Sequence, residues 1–228
     1  MKTPLFAALL LALAPVGHAQ APRFRVGPAT DLNEPGKQQV STAAQQLAKT
    51  AMLAMAKGDL AAAQRDFEKV LALAPDNVAT TINLGLVAYR QKHYAAAEKY
   101  LKNAIRTQPE AGLGWLILGV VHYDQDKLDA ALAALAQAAL LEPKNATVHQ
   151  YLGVTVGKKG WLSGAEDELR KAIEIEPDYA EAHFNLAVFY LQRNPPAVEL
   201  GRRHYQRSLD LGGAPDADVA KSLADPKE

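Results

Sequence analysis

Histidines and acidic residues are the side chains in this sequence with the chemistry to act on a substrate or to hold a metal. His149 and His183 stand 34 residues apart, with His122 upstream. A zinc site needs at least three converging ligands, whereas one helix pair offers two of these imidazoles at best, so they read as packed, hydrogen-bonded core histidines. Glu166, Asp167 and Glu168 supply adjacent carboxylates. Acid–base catalysis requires such groups to be paired across a pocket, and three consecutive residues read instead as a solvated helix face. There is no Gly-rich phosphate loop, Gly-x-Ser-x-Gly elbow or His-Glu-x-x-His helix. The absence of cysteine excludes disulfides, thiol nucleophiles, Cys-ligated metal sites and a lipidated-cysteine anchor. Asn145-Ala146-Thr147 is a formal glycosylation acceptor of a kind expected by chance in a chain of this size. The expectation is a protein with no catalytic residues, no metal and no cofactor.

The elements that carry these residues come from the rest of the 228-residue chain, which is 49% hydrophobic and 22% charged. Its 25 basic and 25 acidic residues cancel, which gives no footprint for nucleic acid. Alanine is in excess, with 43 residues, and small side chains in that number suggest closely packed helices. At the amino terminus Lys2 precedes an apolar run from Leu5 to Ala14, followed by Pro15, Gly17 and Ala19. The run is half the length needed to span a bilayer, and Gly17 and Ala19 fit the small-residue positions before a signal peptidase cut. Residues 1–19 are therefore predicted to be a secretory signal peptide, with the mature chain beginning at Gln20, bearing no membrane span and exported to a bacterial periplasm or the extracellular space. Residues 20–40, with Pro22, Gly27, Pro28, Pro35 and Gly36 and no apolar periodicity, read as a flexible linker.

Beyond residue 40 a strict period appears. Pro75, Pro109, Pro143 and Pro177 are spaced by 34 residues, and Leu84-Gly85, Leu118-Gly119 and Leu152-Gly153 keep the same interval. Ala63, Ala97, Ala131 and Ala165 each stand twelve residues before a proline and four before Phe67, Leu101, Leu135 or Leu169. These residues resemble the tetratricopeptide repeat, most closely in the third unit, with Trp115, Leu118, Gly119, Ala131, Leu135, Ala138 and Pro143. The resemblance implies an all-α, right-handed superhelical solenoid of five helix-turn-helix repeats across 41–215, with units at about 44–77, 78–111, 112–145, 146–179 and 180–215. Residues 216–228 are expected to form a short capping helix or tail. The fifth unit departs at Asn194-Pro195-Pro196, which adds two residues before its second helix.

The residues support this reading independently, because apolar side chains recur three and four apart within each unit, as on the face of a helix. Gly85, Gly119 and Gly153 cost about 1 kcal/mol each in helix propensity, which a close approach by a neighbouring helix would offset. The prolines stop the second helix of each unit. Asp76 or Asn77, Asn145 and Asp178 are candidate N-caps, and Thr42 with Gln45 and Asp178 with Glu181 have capping-box spacing.

Function has to come from a surface. In the family, positions 2, 5, 9 and 12 of each first helix face a concave groove, and here that stripe is almost wholly apolar. Its candidate partner-binding residues are Ile82, Leu86, Tyr89, Leu113, Leu116, Val120, Tyr123, Gln150 and Phe184, with Asn83 and Asn185 at the sixth position placed to bond a bound backbone. Ala48 and Met52 stand where the family's clamp for acidic carboxyl termini uses Lys and Asn, which argues against that specificity. The expectation is an exported adaptor or assembly factor that holds an apolar segment of another protein. A second reading closes the groove by self-association into a symmetric dimer.

Overall fold

The computed structural model describes residues 41–224, which contain eleven α-helices and no strand. The signal peptide and linker expected over 1–40 lie outside the described residues. The helices are α1 (Thr42–Ala56), α2 (Leu60–Leu73), α3 (Val78–Arg90), α4 (Tyr94–Thr107), α5 (Gly112–Asp124), α6 (Leu128–Leu141), α7 (Ala146–Lys158), α8 (Leu162–Ile175), α9 (Ala180–Gln192), α10 (Val198–Asp210) and α11 (Ala217–Ala224). They pair as α1–α2, α3–α4, α5–α6, α7–α8 and α9–α10. Each pair packs on the next, and the first helices of successive units also touch from α3 to α9. This is the all-α solenoid expected from the 34-residue period.

Local chemistry sets the helix ends. Pro75, Pro109, Pro143 and Pro177 directly follow the C-caps Ala74, Gln108, Glu142 and Glu176, where a residue without N–H cannot continue the ladder. Asn77 caps α3 by accepting from the Thr80 N–H at 2.8 Å, and Asn145 caps α7 through Thr147 and Val148. Two capping expectations are corrected. Ser41, not Thr42, caps α1, and Asp178 caps nothing because its carboxylate accepts from Arg207 while Tyr179 takes the N-cap position of α9. Asp59 also caps α2, accepting from the Ala62 N–H at 2.9 Å.

The repeated glycines sit where the two helices of a unit cross. A Cβ on Gly119 would lie 2.6 Å from Leu135 Cγ, one on Gly85 2.7 Å from Leu101 Cγ, and one on Gly153 2.9 Å from Leu169 Cγ. Their neighbours Leu101, Leu135 and Leu169 are fully buried. Closer approach of the paired helices thus offsets the propensity cost of glycine.

The two ends of the stack are finished differently. The tenth position of a unit is fully buried in the interior at Val87, Val121 and Thr155, whereas its counterpart in α1, Leu53, is 53% exposed. Gln46, Lys49 and Thr50 share that outer surface of α1 and are also exposed, which gives this end the polar face that a terminal repeat needs. At the other end α11 caps the stack, its Val219 and Leu223 packing with Ala187 and Tyr205. The Tyr205 hydroxyl donates to the Asp216 carbonyl at 3.0 Å and accepts from the Asp216 N–H at 2.7 Å, which pins the start of this helix.

Candidate functional site

The apolar stripe of the first helices is where an incoming chain would lie, and packing between those helices determines how much of it is open. Ile82, Asn83, Leu86, Leu116, Val120, Gln150 and Asn185 are buried, and only Tyr89, Leu113, Tyr123 and Phe184 remain half-buried. A stripe open along its whole length is therefore not what forms. Leu116 and Val120 cluster with Val148, Tyr151 and Val154 of the next first helix, so each unit covers part of its neighbour's stripe. The two asparagines are buried beneath this surface. Asn83 Nδ2 makes a long contact with Met52 Sδ at 3.8 Å, and Asn185 Nδ2 has no hydrogen-bond partner.

Tyr89 and Tyr123 are held by a ladder that couples the ends of the first helices from α1 to α7, through residues 35 apart. Arg90 Nη1 donates to the Met55 carbonyl at 3.4 Å, and the Tyr89 hydroxyl donates to Asp124 Oδ2 at 2.8 Å. The Lys158 ammonium sits 5.0 Å from the Tyr123 ring centroid while pairing with Asp126 at 2.8 Å. Burial pushes the Tyr123 phenol up to about 12. Burial and the Asp124 carboxylate push Tyr89 higher still, and burial raises Asp124 itself. Both phenols are neutral near pH 7, so they present an apolar ring with a hydroxyl handle and have no base character.

The residues with catalytic potential are occupied by structure. Trp115 Nε1–H donates to the Pro109 carbonyl at 2.8 Å. His149 Nε2 and His183 Nε2 make the equivalent bonds to Pro143 and Pro177 at 2.9 and 3.0 Å. The fourth position of these units thus takes any ring whose N–H can reach back six residues to the loop carbonyl, which explains how Trp and His interchange there. His122 is buried, its Nδ1 lacks a partner, and desolvation holds its imidazole below the usual range.

Of the acidic run only Asp167 is the solvated side chain expected, while Glu168 is half-buried against His149 and Lys171. Glu166 is buried and accepts a fork from Arg193, with Nε on Oε1 and Nη2 on Oε2 both at 2.6 Å, and a third bond from Arg170 at 3.0 Å. Arg170 and Arg193 also both lie over the Tyr190 ring. Glu166 therefore anchors the segment that carries the Asn194-Pro195-Pro196 insertion, a role invisible without knowing that Arg193 folds back on α8. The amide nitrogen of Asn145, which a glycan would occupy, donates to Glu142 Oε2 at 2.6 Å. Among the described residues no three side chains of metal-ligating type come together, and no helix is long and apolar enough to cross a membrane.

Comparison with known proteins agrees with the repeat geometry. Models of the tetratricopeptide repeat match residues 49–98 and 82–147, and a further model of the same repeat matches 158–193. No curated protein matches. Among solved structures, pilF of Pseudomonas aeruginosa superposes with a TM-score of 0.73 at 16% identity, covering 80% of this chain and 83% of that one. MamA from Desulfovibrio magneticus RS-1 gives 0.65 at 14% identity, over 76% and 97% of the two chains. YrrB, described as a TPR protein with an unusual peptide-binding site, gives 0.59 at 22% identity, over 77% and 89%. The repeat period, the paired helices packed in series and the family matches together make this chain a member of the tetratricopeptide repeat family.

Proposed function

We propose that this protein is an exported, non-enzymatic scaffold that holds an apolar segment of another polypeptide against the first helices of its repeats, as an adaptor or assembly factor in a bacterial periplasm. Family membership supports an interaction scaffold, and the peptide-binding site named for YrrB is a precedent on the same fold. The observation that carries the reading is the position of four half-buried apolar side chains, Tyr89 on α3, Leu113 and Tyr123 on α5 and Phe184 on α9, beside the buried stripe residues Ile82, Leu86, Leu116 and Val120. Rigid aromatic rings seated on a packed base are the kind of anchor that concentrates binding energy. The leader sequence Leu5 to Ala19 supports export.

The double variant Tyr123→Gln with Phe184→Gln tests the anchors. Losing two of them is expected to cost at least about 2 kcal/mol of binding, roughly thirty-fold in affinity, while the loss of stability per ring stays below the about 3 to 5 kcal/mol of a fully buried aromatic, because both rings keep part of their surface in water. The measurement is a titration with the captured partner beside a thermal melt of the same variant. Unchanged affinity with a strongly lowered melt would make these rings simple core and end the proposal.

A further inference from the structure

The fourth position of a unit packs against a fixed position of the second helix, and in the last two units this juxtaposition carries opposite chemistry. In the fourth unit His149 Nδ1 meets Glu168 Oε2 at 2.7 Å while Nε2 faces the Pro143 carbonyl. Both partners are acceptors, so a ring carrying two N–H groups satisfies both. In the fifth unit the insertion shifts the equivalent residue to His204, and His183 Nδ1 meets His204 Nδ1 at 2.8 Å. The two ring planes lie within 27° of each other with centroids 5.1 Å apart, so the rings meet edge to edge as a ring N–H···N bond requires, and Tyr190 lies against His204 at 5.6 Å.

A contact between two ring nitrogens holds one hydrogen. If His204 Nδ1 carries it, His183 accepts. If the pair takes up one extra proton, His183 donates at both nitrogens and His204 Nδ1 accepts. A second extra proton would set N–H against N–H and cation against cation. We propose that the facing imidazoles of His183 and His204 form an acid-sensitive latch, which keeps α10 and its capping helix α11 on the stack and releases them when the pair takes up its second proton.

The surroundings make that proton expensive. Arg170 from α8 and Arg203 from α10, with His183 from α9, are the charges acting on His204, and all of them are positive. The nearby carboxylates are already engaged, Glu166 by Arg193 and Arg170, and Asp178 by Arg207. On α11 the charged side chains are Asp218 and Lys221, and that helix meets α10 through Val219 and Leu223. Burial first, then His183, Arg203 and Arg170, lower His204 to about 4 from an ordinary value of 6.5. A histidine whose folded value is depressed contributes stability that is complete above pH 6.5 and is lost as the pH falls through 4. Opening would reach the groove, because Phe184 packs in the same cluster as Tyr205, Val219 and Leu223.

Hydrogen exchange of the mature chain at pH 7.5 and pH 5, corrected for intrinsic rates, tests the latch. Peptides over 198–224 are expected to open about tenfold more at the lower pH, below the single-group limit because His204 is half exposed and screened. Peptides over 146–175, which contain the His–Glu pair, should not change. His204→Glu, which rebuilds the pairing of the fourth unit, and His204→Gln should both abolish the acid response. An equal response in wild type and both variants, no response over 198–224, or a uniform response along the chain would overturn the proposal. A readout independent of the variants is the NMR titration of the wild-type imidazoles: His204 should titrate well below its ordinary 6.5, and an ordinary His204 titration would equally refute the latch.

Discussion

Gly119→Leu is expected to destabilise the protein by about 3 kcal/mol or more, at the upper end of overpacking costs. The first added carbon alone would stand 2.6 Å from Leu135 Cγ and 3.3 Å from the Leu135 backbone nitrogen. Leu135 is fully buried and cannot swing away, so α5 and α6 must separate. Because stability in a stack depends on neighbouring interfaces, the strain should spread to the contacts with α4 and α7. In a domain of this size the melting midpoint should fall by roughly 6 to 12 °C. Gly114→Ala is the control, since its added carbon meets Ile105 and Ile82 only at 3.4 and 3.6 Å, ordinary contact distances. That variant should match or slightly exceed wild type through better helix propensity. Similar melts for Gly119→Leu and Gly114→Ala would show that Gly119 does not lie at a tight crossing.

Leu116→Gln should be at least as damaging. Leu116 is 2% exposed and packs with Val148, Tyr151 and Val154. The substitution removes buried apolar contacts and places an amide in a cluster whose Val148 and Val154 offer it no hydrogen bond. Together these effects are expected to cost about 3 to 5 kcal/mol, to be read in a denaturant or thermal melt. An unchanged melt would mean that Leu116 belongs to an open surface after all.

These two residues mark what the sequence makes legible. Gly119 could be placed at a crossing because a costly residue recurred every 34 positions opposite a recurring leucine, and local spacing on two helices sufficed. Leu116 could not be placed, because a stripe of apolar residues on a helix has the same pattern whether a partner or the neighbouring repeat covers it. That depends on the pitch of the stack, a property of how units pack and not of any one unit. Glu166 shows the same limit in polar form. Its adjacent sequence is a solvated-looking acidic run, and only the return of Arg193 across 27 residues reveals a buried ion pair. The Asp178 cap failed for a related reason, since Arg207 competes successfully for its carboxylate. Periodic features were thus readable, whereas features made by contacts between units were not.

Site-specific photocrosslinking in the native cell tests the central claim, that the half-open faces of the first helices hold another polypeptide. A photoreactive phenylalanine replaces Tyr123 in one variant and Leu140, which is 76% exposed on α6, in another. A discrete second polypeptide should be captured from position 123 and not from position 140. That product should disappear when Phe184→Gln is added or when excess unlabelled protein is present. Equal capture from both positions, or a product at 123 consisting only of two copies of this chain, would contradict the account, and the latter would establish the self-associated dimer in its place.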